Sequence, residues 1–198
     1  KAFFHYEELE QRTSADPAFE LKAPKVEKKA PTILTTEQTN RLLAQPKDNS
    51  AKGLRDKAML ELLYATGIRV SECVGLDITD VDFRNNGIKV HRKGGAEVVV
   101  YFGDEVRTAL LNYLEKRNTI EAVEGSTNAL FLSLQKKRIG VRAVENLVKK
   151  YSKLITTMKN ITPHKLRSTY GTSLYRETGD IYLVADVLGH KDVNTTKK

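Results

Sequence analysis

From Asp80 to Phe102 the hydrophobic pattern has a period of two, and on both sides of that stretch the apolar residues fall at helical spacing. Asn85-Asn86-Gly87 makes a turn, and Ile88, Val90 and Arg92 follow in alternation. Gly94-Gly95 makes a second turn before Val98 to Phe102. Such a stretch accommodates a few short antiparallel strands and no larger sheet. The expected fold is therefore mainly α, with a small three-stranded antiparallel β-sheet on one side.

The helices announce themselves by their ends. Thr35 with Gln38 is a capping box for a helix through Ala44, stopped by Gln45-Pro46. Leu54, Ala58, Met59, Leu62 and Leu63 form an apolar stripe closed by Gly67, and a short helix over Val70 to Gly75 follows. Asp104 is expected to cap a helix to Arg117, with a loop over Asn118 to Asn128 and a short buried segment at Leu130-Phe131-Leu132. A basic amphipathic helix is expected from Val141 to Ile155, with Val144, Leu147, Val148 and Leu154 facing in. Thr162 and Pro163 suit the N-cap and first position of a helix to about Glu177. Ile181 to Leu188 is a further helix stopped by Gly189, and Asn194-Thr195-Thr196 reads as the cap of a last one. At the start, Lys1 to Glu10 is an uncapped amphipathic stretch, expected to be the tail of a larger unit. Residues 14–34, with Pro17, Pro24 and Pro31, read as an interdomain linker leading into a main domain over 35–198.

Charge narrows the partner. The formal net charge is +8 over 198 residues, and residues 135–167 alone carry +9, with Glu145 as their single acid. Such a one-sided run favours a polyanion, nucleic acid first. Lys136, Lys137, Arg138, Arg142 and Lys165 are the expected DNA-binding cations. No apolar run approaches membrane-spanning length and no secretory signal is present, so no membrane partner and a cytoplasmic location are expected. Cys73, the single cysteine, cannot form an internal disulfide and reads as a small core residue. There is no Walker loop, no GxGxxG and no Cys/His spacing that would ligate a metal.

Three places could carry chemistry. His164 and Arg167 stand three apart in the first turn of their helix, where free N–H groups and the helix dipole suit a phosphate. The alternative is a capped surface helix with an incidental His and Arg. Arg69 follows the Gly67 turn in an apolar neighbourhood, either pairing with Glu72 or clamping a phosphate. Lys93 sits at a Gly-flanked hairpin tip, either solvated or reaching into a groove.

The motifs Ala65-Thr-Gly-Ile-Arg-Val-Ser-Glu72, Lys93-Gly-Gly95, Thr162-Pro-His-Lys-Leu-Arg-Ser-Thr-Tyr-Gly-Thr172 and Leu188-Gly-His-Lys-Asp-Val-Asn-Thr-Thr196, in this order and spacing, closely resemble the catalytic domain of tyrosine recombinases. Xer-type enzymes and phage or transposon integrases are nearest in style. The resemblance covers residues 35–198. It implies that residues 1–13 are the C-terminal remnant of a core-binding-domain helix. It further implies catalytic roles for Arg69, Lys93, His164, Arg167 and His190, with Glu72 supporting. Two guanidiniums would hold the charge that develops on a DNA phosphodiester, without metal, ATP or other cofactor. Lys93 would protonate the departing 5′ oxygen, His164 would assist the nucleophile and His190 would hydrogen-bond the phosphate. The family's nucleophile is the tyrosine of T-T-x-x-Y, and here Thr195-Thr196-Lys197-Lys198 ends the sequence. Tyr170, Tyr175 and Tyr182 do not match that position and are expected in core or groove packing. The expectation is a catalytic domain truncated before its tyrosine, inactive in cleavage as it stands. Its partner would be a double-stranded DNA recombination site, bound by the full-length protein as a homotetramer. Two alternatives stay open: a non-catalytic DNA-binding accessory module, and a type IB topoisomerase.

Overall fold

A computed structural model describes residues 2–22, 33–92, 94–155, 161–189 and 196. Lys93, His190 and the expected cap at Asn194-Thr195 lie outside the described residues. The chain divides into two units, Lys1–Ala30 and Pro31–Lys198. The first contains helix α1 (Ala2–Leu9), none of whose side chains is buried. Phe3 and Phe4 meet edge to face there, and Arg12 pairs with Glu7 at 3.3 Å.

The second unit holds seven α-helices among the described residues: α2 (Thr36–Leu43), α3 (Ala51–Thr66), α4 (Val70–Gly75), α5 (Asp104–Arg117), α6 (Val141–Ser152), α7 (Pro163–Thr178) and α8 (Ile181–Leu188). Strands β1 (Val81–Asp82), β2 (Gly87–His91) and β3 (Glu97–Tyr101) form the expected antiparallel sheet in the order β1-β2-β3. Ile88 pairs with Val81 on one side and Val100 on the other. The capping box at α2 is present, with Gln38 N–H donating to Thr35 Oγ1 at 3.2 Å and Thr35 N–H to Gln38 Oε1 at 3.2 Å.

The core is built around α3, which packs along α5 and α7. An amphipathic stripe is expected there, and the helix is buried nearly all round instead: Leu60 and Glu61 join Ala58, Met59, Leu62 and Leu63 in the interior, and Leu54 is only partly buried. A helix enclosed by neighbours on several sides has no wide polar face. Its buried charges are paired. Asp56 accepts from Arg55 at 2.6 and 3.0 Å, from Lys52 at 2.7 Å and from the Tyr151 hydroxyl of α6 at 3.0 Å. Burial, and then the Asp56 charge, push the Tyr151 phenol up to about 12. Arg55 also donates to Leu132 O at 2.7 Å, tying the Leu130-Phe131-Leu132 segment to α3. Cys73 is fully buried, as expected of a core residue, and burial alone pushes its thiol up to about 12.

Three local expectations change. Gly103, not Asp104, is the N-cap of α5, and Asp104 and Glu105 occupy the first turn, where their charge faces the positive end of the helix. α6 ends at Ser152, and Leu154 is exposed while Ile155 packs on the core. After Ser152 the backbone bonds run three residues back, from Leu154 to Tyr151 and from Ile155 to Ser152. The tighter turn shifts the inward-facing position by one residue. Tyr170 packs against Gly67, but Tyr175 and Tyr182 are exposed.

Gly67 ends α3 with φ 61°, and a Cβ there would run into the Tyr170 ring. Gly67→Ala is expected to cost about 2 kcal/mol, combining left-handed strain with displacement of that ring. Urea denaturation of the variant checks this; an unchanged midpoint would show that the turn relaxes freely.

Candidate active site

Arg69 is the N-cap of α4, placed by the left-handed turn at Gly67. Glu72 is buried and accepts from the Arg69 backbone N–H at 2.7 Å and from its guanidinium at 2.8 Å. Both readings of this pair therefore share one geometry: the carboxylate steadies the arginine from one side of its fork. Arg69 Nη2 donates to Gly189 O at 3.1 Å.

Arg167 comes from the first turns of α7, begun as expected by Thr162, whose hydroxyl accepts from Lys165 N–H at 3.3 Å. Its guanidinium is buried and donates to Gly67 O and Leu188 O. Desolvation, and then the neighbouring charge of Arg69, pull its pKa down to about 10, with Glu72 opposing and Arg92 adding. At neutral pH the group stays charged. Arg69 and Arg167, 98 positions apart in sequence, thus bond adjacent carbonyls at the C-terminal end of α8. Those carbonyls close α8 and its C-cap and carry the negative end of the dipole. His164 is exposed on the first turn of the same helix as Arg167.

A third arginine, not singled out in the sequence, joins them. Arg92, at the end of β2, donates to Val187 O at 2.9 Å and to Asp186 O at 3.5 Å. Its position directly before the Gly-rich turn was the available signal.

The expected DNA-binding cations separate. Lys136, Lys137 and Arg142 are exposed, and Lys165 is partly exposed. Arg142 pairs with Glu145 at 3.5 Å. Arg142, Lys149 and Lys153 share one exposed stripe of α6 and its C-cap, at spacings that return to the same helical face. Arg138 is also engaged within the protein: its guanidinium donates to Val74 O at 3.1 Å, to Leu76 O at 2.8 Å and to the Asp77 carboxylate, while part of its side chain stays exposed. Arg117 does the same for Thr127 O and Ala129 O. Both forks bond carbonyls on either side of the isolated Asp77–Ala129 bridge.

Comparison with known proteins decides the family. Residues 32–198 match the family described as the phage integrase family. The chain belongs to the phage integrase family. It is 34% identical over 197 residues to the tyrosine recombinase XerD of Staphylococcus epidermidis and 38% identical to that of Neisseria meningitidis serogroup B, covering all of this chain and 67% of each relative. In structure it is similar to the XerA recombinase, with TM-score 0.75 and 27% identity, covering 99% of this chain and 74% of the other. It also shares the fold of the Tn1549 transposon integrase solved with circular intermediate DNA, at TM-score 0.73 and 24% identity, over 99% of this chain and 70% of that one. The chain is a tyrosine recombinase catalytic domain, and site-specific DNA recombination is its enzyme class.

Proposed function

We propose that this phage integrase family domain breaks and rejoins double-stranded DNA at a recombination site through a 3′-phosphotyrosyl intermediate, with Arg69 and Arg167 holding the scissile phosphate. The observation that carries this is the meeting of their two guanidiniums on neighbouring carbonyls, with Glu72 steadying one of them. In that place a phosphate would exchange carbonyl oxygens for its own nonbridging oxygens. Fixed, partly desolvated guanidiniums favour the transition state, in which those oxygens gain charge.

In the proposed step a tyrosine oxygen forms a bond to phosphorus as the bond from phosphorus to the 5′ oxygen breaks. The tyrosine proton passes towards His164, and the 5′ oxygen takes a proton from Lys93. His190 would donate a hydrogen bond to the phosphate. The nucleophile would be a tyrosine beyond Lys198, in keeping with the Thr195-Thr196 motif. Lys136, Lys137, Arg138, Arg142 and Lys165 would contact the DNA backbone. The full-length protein would act in the cytoplasm as a homotetramer on paired sites. Relatives in complex with DNA, the XerH recombinase on its difH substrate and the Tn1549 integrase, support a duplex partner. Among the described residues no helix is long and apolar enough to cross a membrane.

The test uses nicked suicide DNA and two proteins: this chain, and the chain continued through its parent's following residues. On a denaturing gel, a covalent band from the continued form alone is expected. Shifted DNA on a native gel, without covalent product from either, would leave a DNA-binding module.

A further inference from the structure

Arg92 has a geometry that the roles above do not use. Its backbone closes the hairpin tip: Arg92 N–H donates to Ala96 O at 2.8 Å, and Gly95 N–H donates to Arg92 O at 3.1 Å. Its side chain leaves the sheet and grips the C-terminal end of α8, 95 residues away, through Val187 O and Asp186 O. Gly189 makes the room, since a Cβ there would collide with the Arg92 guanidinium. The contact matters because β1 pairs only with Gly87 and Ile88. Beyond that point β2 and β3 continue as a two-stranded ribbon, which holds its place poorly by itself. One end of the ribbon is fixed by the sheet, and Arg92 fixes the other to the helix end that Arg69 and Arg167 also hold. Its Nε is buried with no hydrogen-bond partner among the described residues, so the side chain pays a desolvation cost to stay there.

We infer that Arg92 is a positioning residue for strand cleavage: it clips the β2–β3 hairpin to the end of α8 and so sets where the next residue in sequence, Lys93, delivers its proton. The inference rests on the reading of Lys93 as general acid. It predicts a defect confined to leaving-group protonation, and that can be read separately from binding, folding and phosphate charge.

The experiment uses the recombinase continued through its nucleophile, with matched DNA duplexes carrying either oxygen or bridging sulfur at the scissile 5′ position. A thiolate departs without needing a proton. Arg92→Ala is expected to slow single-turnover cleavage of the oxygen substrate about a hundredfold. On the sulfur substrate it should come within a few-fold of the parent enzyme, with DNA affinity unchanged. Arg92→Lys keeps the charge but loses the fork, and it should show the same pattern; it supplies the answer if the alanine variant does not fold. Lys93→Ala, run in parallel, tests the underlying reading. Sulfur rescue of Lys93→Ala but not of the Arg92 variants overturns the inference, as does a parental rate for Arg92→Lys on oxygen. Rescue of none of them overturns the general-acid reading, and the inference with it.

Discussion

Cleavage by an Arg167→Ala variant is expected to fall by about a thousandfold at saturating DNA, while DNA affinity falls by no more than one phosphate contact's worth. The difference follows from burial. Arg167 is shielded from solvent, so its charge acts through low-dielectric surroundings rather than water. Its pKa, drawn down to about 10 by desolvation and by Arg69, still leaves it protonated at neutral pH. Its fork is already aimed, by Gly67 O and Leu188 O, at the point where Arg69 arrives through Gly189 O. Interactions preset in this way stabilise the charge that appears in the transition state more than the ground-state phosphate. The measurement is a single-turnover time course on a denaturing gel beside a binding titration. Equal losses in both would reduce Arg167 to an ordinary DNA contact. Because the substitution also strips two carbonyls of their donor, Arg167→Lys and a melting curve belong beside it: lysine keeps the charge without the fork, and a fold-preserving loss of cleavage isolates the chemistry.

Asp56→Ala should be the most damaging substitution away from that site, at about 4 kcal/mol of folding stability. Asp56 is buried and holds Arg55, Lys52 and Tyr151 together. Its loss leaves Arg55 as a buried charge without its carboxylate, and it cuts the tie between α3 and α6. For a chain of this size that corresponds to a fall in Tm of roughly 10 °C. Chemical denaturation measures it directly. Tyr151→Phe, which removes one hydrogen bond and leaves the ion pair, should cost only about 1 kcal/mol. A loss below that figure for Asp56→Ala would mean that water replaces the carboxylate at little cost.

The arginines show where sequence reasoning stops. Arg69, Arg92, Arg117, Arg138 and Arg167 all bond backbone carbonyls. Arg138, expected at DNA because it lies in a strongly basic run, also bonds Val74 O, Leu76 O and the Asp77 carboxylate. Arg92 looked like part of a turn until α8 was brought beneath it.

By itself, the sequence determined the local elements. Period two between Asp80 and Phe102, the Thr35–Gln38 box, the Thr162-Pro163 start and the glycines at 67 and 189 encode their structure within a few residues, because capping bonds and left-handed turns are short-range. The motif order was enough to mark the family resemblance, and the spacing left Arg69 open between a pair with Glu72 and a phosphate clamp. Only the tertiary structure decided that α3 is buried on nearly every side, and that three arginines from the α4 start, the β2 end and α7 meet at the carbonyl end of α8. Contacts between residues about a hundred positions apart leave no periodicity in a chain; they exist only once packing has closed the distance.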